Sequence, residues 1–285
     1  VIFVHFHGGT MTDQSAEPTH KPTALFGPYG TRDAVTKDAY AYLVLACVIT
    51  WSLDIPIALT LYRGEQPGPV GGLLAALSAF GPTIAAVLVA SRRGQRAGVF
   101  GPWRAQPQWL LLALFTLPAL HFVATTIEWL LGGHPAHWFY PPTRPEHFAA
   151  LIFFSIGEEF GWRGFAYKRL AQVHGPVLAN VPLGVAWTLW HLMMWVTPSG
   201  LPSITILALA MLELIFGSVV FAAIFERSNR SIAVAIALHM SAHLDNTSRA
   251  PETELRLKVL RLVVLGLCAL WAARWLRQKA NVAQS

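Results

Sequence analysis

Three short clusters in this chain hold the residue types that water-activating chemistry needs. The first is Gly157-Glu158-Glu159-Phe160-Gly161-Trp162-Arg163-Gly164, inside an apolar run. Glu159 and Arg163 are four residues apart, so on a helix they share a face, with the acid on the N-terminal side as such pairs prefer. Glu158 is turned about 100° away and lacks that partner. One carboxylate is therefore tied to a guanidinium, and the other is left to take a proton, as a general base does. Standing alone, the cluster reads more readily as a structural Glu–Arg pair with a second Glu at an interface. The second cluster is Trp187-Thr188-Leu189-Trp190-His191, and the third is His239-Met240-Ser241-Ala242-His243. A lone His beside Trp is more often a hydrogen-bonded core residue than a ligand. His239 and His243 stand at i and i+4, so both imidazoles leave one face, a spacing that suits metal binding or paired hydrogen bonding. The chain has no HExxH and no GxSxG, so neither an ordinary zinc peptidase nor a serine nucleophile elbow is supported.

The elements that position these clusters are apolar. Of the 285 residues, 54% are hydrophobic and only 13% charged, and the mean hydropathy is +0.46. Soluble domains carry about 25% charged residues, so lipid is the expected solvent for much of the surface. The net charge of +6 does not point to nucleic acid, because the basic residues sit between long apolar runs, as membrane-flanking charges do. A spanning helix needs about 20 apolar residues. Eight segments qualify or nearly so: Tyr40–Tyr62, Val70–Ser91, Trp109–Leu131, His147–Gly161, Val177–Val196, Ile204–Phe225, Ser231–Leu244 and Leu255–Leu276. The expected fold class is all-α, a polytopic membrane bundle of about eight helices. The fourth and seventh segments are short and polar, and should face the bundle interior.

Basic residues predict the orientation. Arg92, Arg93, Arg96 and Arg104 share one connection; Arg163, Lys168 and Arg169 follow two spans later, then Arg227 and Arg230, then Arg274, Arg277 and Lys279. The alternate connections are poorer in net positive charge, the last one mixing Arg249, Arg256 and Lys258 with Asp245, Glu252 and Glu254. The positive-inside rule then puts both termini in the cytosol. Residues up to about Lys37 are polar and rich in Pro, Thr and Gly, and read as a poorly ordered cytosolic tail before a single membrane domain at 38–285. Within that tail His5 and His7 imitate a metal site without other support, and Met11 is an alternative start. Cys47 and Cys268 each lie in an apolar run and are expected to be inert thiols. Asp54, beside Pro56, reads as a locally hydrogen-bonded kink, whereas Glu213 at mid-span needs an interior partner.

The order of the clusters resembles the signature of the CPBP family (CAAX-protease and bacteriocin-processing, or Abi): EExxxR, then aromatic-xxx-His, then His-xxx-Asn or a variant. Here the three read Glu158-Glu159-(FGW)-Arg163, Trp187-(TLW)-His191 and His239-(MSA)-His243. Flanking stretches are similar too, at Gly161–Phe165, Gly184–Leu192, Phe80–Ala86 and Asn229–His239. The resemblance covers roughly Tyr40 to Asn246. It implies an eight-helix bundle with the site in a cavity open to the cytosolic side. It further implies Glu158 as the base acting on water, His191 as its partner on that water, His239 and the residue four later as oxyanion donors, and Glu159 and Arg163 as supports. This chain departs at Trp187, where Phe is common, and at His243, where Asn is usual; Asn246 stands three residues beyond His243 and does not restore the motif.

The leading expectation is an intramembrane endopeptidase that hydrolyses a peptide bond near the cytosolic side of the bilayer. Its substrate is a peptide or protein, prenylated or not, that meets the site from the membrane. If a metal takes part, Glu158, His191 and His239 are the ligands to expect, with Zn²⁺ the natural ion for one carboxylate and two imidazoles. The alternatives are a catalytically inactive relative acting as a membrane partner or immunity protein, which His243 favours, and a proton-coupled transporter using Glu158, Glu213 and the histidines. The absence of an internal repeat argues against the transporter.

Overall fold

The computed structural model describes residues 29–135, 138, 139, 141–244 and 255–282. His5, His7, Met11, Asn246 and most of the expected N-terminal tail lie outside them. The described residues are helical apart from connections, with one isolated bridge between Thr197 and Gly200.

The helices are α1 (Arg32–Tyr62), α2 (Gly68–Ser78), α3 (Gly81–Ser91), α4 (Ala97–Phe100), α5 (Pro107–Leu130) and α6 (Pro145–Gly161). A π-helical stretch (Trp162–Tyr167) leads into α7 (Lys168–Leu178) and α8 (Asn180–His191), which ends in a 3₁₀ turn (Leu192–Trp195). Then come α9 (Ile204–Arg227), α10 (Ile232–Leu244) and α11 (Leu255–Val282). Local chemistry marks several starts. Thr31 caps α1 by accepting from the Ala34 N–H, Ser203 caps α9 by accepting from Ile206, and Pro opens α5 and α6, where its missing N–H costs nothing.

All eight expected segments are helical, but they do not make eight straight spans. By length and composition α1, α5, α9 and α11 can each cross a membrane, and the number rises to six if each of two bent pairs counts as one span. The pair α2–α3 bends by 42° across Ala79 and Phe80. The other pair bends by 115° between Leu178 and Asn180. Its first arm does not stop at Gly161, as the apolar run implied, but continues as π-helix into α7. α10 is apolar yet only 13 residues long. The molecule is thus an all-α polytopic membrane protein whose short and broken helices are the motif-bearing ones.

Side-chain contacts sort the connections into two ends. At one, Arg93 pairs with Asp38, Arg169 donates to Gln95 Oε1 at 2.7 Å, Lys168 to the Gly98 carbonyl at 3.2 Å and Lys279 to Glu226 at 3.1 Å. These contacts gather the start of α1, the 92–104 connection, α7 and the ends of α9 and α11. At the other end Arg256, near the start of α11, grips Glu128 near the end of α5, its Nε 2.8 and 2.9 Å from the two carboxylate oxygens.

Candidate active site

The acidic motif sits where α6 approaches α3 more closely than side chains would allow. A Cβ on Gly157 would lie 2.8 Å from the Ala79 carbonyl oxygen, and one on Gly161 would lie 2.5 Å from the Tyr42 hydroxyl and 2.6 Å from Pro82. A Cβ on Gly164 would run into the Val99 carbonyl. These glycines share one face, so the break between α2 and α3 receives α6 backbone to backbone. Thr83 fixes the contact by donating to the Gly157 carbonyl at 2.6 Å. The two glutamates are thereby turned away from α3, towards α8 and α10.

Each carboxylate then finds different partners. Glu159, fully buried, accepts from Arg163 at 2.8 Å and from His239 Nδ1 at 2.7 Å, both on Oε1. Arg163, also buried, lies over the rings of Trp187 and Phe221, 4.5 and 4.2 Å from their centroids. Desolvated cation–π contacts of this kind are worth about 2 kcal/mol or more. Glu158 receives no guanidinium. Its Oε2 accepts from the indoles of Trp162 at 3.2 Å and Trp187 at 3.0 Å, and its Oε1 lies 3.6 Å from His239 Nε2. The His239 ring is therefore held between two carboxylates, bonded to one and facing the other. The departure at Trp187 is not silent, because a Phe there would have no N–H for Glu158. The π-helical stretch begins one residue after Gly161, a local irregularity that recurs at functional sites.

His191 and His243 meet His239 on the wall of an inner chamber of about 200 Å³, which is walled by α5, α8, α9, α10 and α11. The rings of His239 and His243 stack at 5.4 Å and 25°. His191 Nδ1 donates to the Trp187 carbonyl oxygen at 2.8 Å, which fixes the orientation of the ring. The His191 ring also stacks on Trp195 at 5.3 Å. Glu158 is not on this wall; it stands behind Trp187 and His239. The structure thus brings Glu158, Glu159, Arg163 and His239 into one contact network, and joins His191 and His243 to it through the chamber.

Three further wall residues are ionisable: His121 on α5, Glu213 on α9 and Arg261 on α11. Glu213 stands out in the sequence as a mid-span carboxylate, whereas His121 and Arg261 do not stand out there. Their signal was present, since each is an ionisable residue inside a spanning helix, but neither belongs to a cluster. A smaller outer chamber of about 150 Å³ lies between α9 and α11, lined by Ile206, Ala210, Glu213, Lys258 and Arg261 among others. The cavity system therefore runs from His239 towards the end where α9 and α11 begin, away from the gathered basic residues.

Among the described residues, no group of three or more His, Cys, Asp or Glu side chains stands together in a way that could hold a metal ion.

The fold and this network define an all-α polytopic membrane protein with a buried carboxylate–imidazole centre. Residues 142–244 match the family model of type II CAAX prenyl endopeptidases, Rce1-like. That stretch contains all three motifs, and the match bears out the resemblance to the CPBP family there. No curated protein matches the chain.

Proposed function

We propose that the protein is an intramembrane endopeptidase that hydrolyses a peptide bond with a water activated by Glu158. The observation that carries this reading is the division of labour between adjacent carboxylates. Glu159 is committed to Arg163 and His239, while Glu158 holds only indole N–H donors on one oxygen and faces His239 with the other. In this reading Glu158 takes a proton as the water oxygen bonds to the scissile carbonyl carbon. His191 Nε2 orients that water by accepting a hydrogen bond. His239 and His243 donate to the oxyanion, which requires His239 to carry protons on both ring nitrogens, since Nδ1 already donates to Glu159. The C–N bond then breaks, and the proton on Glu158 passes to the leaving nitrogen. Glu159 and Arg163 are positioning residues that hold the His239 ring. The family similarity supports a peptide or protein substrate, with a prenylated peptide as the natural first probe.

Turnover of a fluorogenic prenylated peptide by purified protein tests the assignment. Glu158→Gln should lower kcat by about 10²- to 10⁴-fold while leaving the melting temperature close to wild type. Near-normal turnover by this variant would remove Glu158 from the reaction. Turnover by neither protein, with binding intact, would favour the inactive-partner reading that His243 in place of Asn suggests.

Orientation is the second part of the proposal. The gathered basic residues put both termini in the cytosol, and the cavity system then opens towards the opposite side. The family resemblance instead implies a cytosolic opening, so the two arguments cannot both hold. We favour the basic residues, which come from several separate connections. Cysteine labelling in sealed vesicles at Arg96 and at Ser199, in the connection that follows the 3₁₀ turn, decides it. Cytosolic labelling at Arg96 and not at Ser199 is expected; the reverse would invert the molecule and put the cavity mouth in the cytosol.

A further inference from the structure

The outer faces of α1 and α3 enclose a groove of about 500 Å³ at the end where the basic residues gather. One stripe of α1 forms its floor, where Ala41, Val44, Leu45 and Val48 follow Tyr40 at helical spacing. Val89 and Arg92 of α3 and its C-terminal end close the other side. From Tyr40 to Val48 the stripe rises about 12 Å. Its polar groups stand at one end alone. They are the Tyr40 hydroxyl, 3.0 Å from His174 Nε2, and the Arg92 guanidinium, next to the Arg93 that pairs with Asp38. Tyr40, Val44 and Val48 are exposed, whereas Tyr42 points the other way and is buried against Trp162 and Phe165. α1 therefore stands between this groove and the carboxylate–imidazole network.

The chemistry of the two parts selects the occupant. The volume falls within the range of ligand sites, about 300–1,000 Å³. The floor has only aliphatic side chains, so it suits a hydrocarbon chain; a peptide laid there would leave backbone N–H and C=O groups unpaired, at a cost. At the rim, Arg93 is held by Asp38, and Asp33 is held by Lys37. Arg92, by contrast, is exposed and has no hydrogen-bond or ion-pair partner among the described residues. With Arg96 exposed nearby on the same connection, the polar end of the groove is net positive. A guanidinium fork matches a phosphate, and a Tyr ring suits the headgroup level of a bilayer. A zwitterionic headgroup would bring a cation of its own beside Arg92 and Arg93; a net anionic one would not.

We infer that the groove between α1 and α3 binds one anionic glycerophospholipid, with an acyl chain along Ala41, Val44 and Val48 and the phosphate on Arg92. The lipid comes from the leaflet at the basic end. The site is separate from the hydrolytic one and does not depend on that reading. Its occupant braces the two helices that receive α6, since Tyr42 of α1 and Pro82 of α3 face Gly161 with no room for a Cβ. Binding to the folded protein then stabilises it by mass action.

Native mass spectrometry of the full chain in detergent tests this, with phosphatidylglycerol and phosphatidylcholine of identical acyl chains as probes. Unfolding midpoints in mixed micelles of each lipid give a second readout. One phosphatidylglycerol should bind about fivefold more tightly than phosphatidylcholine, the preference that one basic residue near a membrane surface confers, and should give the higher midpoint. Arg92→Ala should bring phosphatidylglycerol down to the phosphatidylcholine level, and Arg92→Lys should keep most of the preference. Arg96→Ala, which removes an exposed cation outside the groove, should keep all of it. Val44→Trp, which fills the groove, should lower retention of both lipids while the midpoint in lipid-free detergent stays close to wild type. Soluble glycerol phosphate should not displace the lipid, because it lacks the chain. Equal retention of the two lipids, or a preference lost equally in Arg92→Ala and Arg96→Ala, would overturn the site and leave only a diffuse basic surface. Displacement by glycerol phosphate would overturn it in favour of a plain phosphate site.

Discussion

Two regions of this molecule place a guanidinium and a carboxylate among the packed helices, and they do so differently. In the motif network, Arg163 and Glu159 are locked together by a 2.8 Å ion pair, an imidazole and two aromatic rings, against a helix contact with no room for a Cβ. In the α9–α11 chambers, Arg261 and Glu213 line open volume. Charge that is closed in on all sides builds a scaffold; charge that borders a space is only partly enclosed. The contrast explains why the two glutamates of one motif can differ in role. Glu159 belongs to the scaffold, while Glu158 stands between the scaffold and the chamber wall.

The sharpest way to break this comparison is to treat both regions alike. Arg163→Ala leaves Glu159 buried without its guanidinium, and breaking a buried pair typically costs about 3–5 kcal/mol. Thermal unfolding in detergent should show a large drop, with turnover lost for every substrate. Glu213→Gln in the chambers should leave the unfolding midpoint nearly unchanged. Similar destabilisation by both would mean that the α9–α11 charges are scaffold too.

A smaller effect is expected at His243, which stacks on His239 yet lines the chamber. As an oxyanion donor it can be replaced by Asn, which presents an N–H at similar reach. His243→Ala should lose about 2.7–4 kcal/mol of transition-state stabilisation, the range seen for such donors, while His243→Asn keeps most activity. If both variants turn over normally, His243 is packing alone. If both lose activity and metal content together, a ligand role returns.

Much of this arrangement was legible in the sequence because it is local. The i, i+4 spacing of Glu159 and Arg163 specifies their ion pair, and that of His239 and His243 specifies a common face. The eight helical segments followed from hydropathy. What the sequence could not show depends on helices coming together. The bond from His239 to Glu159 joins α10 to α6, and the one from Trp187 to Glu158 joins α8 to α6. The 115° bend after Leu178 falls in a run that hydropathy reads as the start of a span. Gly175 at φ 78°, followed by Pro176, marks the turn only in retrospect. His121 and Arg261 carried a weaker signal, since lone ionisable residues gain meaning only when neighbouring helices enclose them.

The glycine-lined contact of α6 on α3 also bears on how the chain enters the membrane. A helix centred on charged residues is a poor independent passenger for the insertion machinery, which resists each such residue at mid-bilayer by about 2.5–3.5 kcal/mol. α6 brings two glutamates, the following π-helical stretch adds an arginine, and α10 is short for a span of its own. Neither is a good candidate to settle in lipid before its neighbours. The order of synthesis supplies α1, α3 and α5 first, so the cradle around Tyr42 and Pro82 is in place when α6 emerges. The network reaches its full complement only when α10 delivers His239, late in translation. Until then the glutamates are sheltered on one side alone, and nascent chains stalled between α6 and α10 should be the ones that quality control removes.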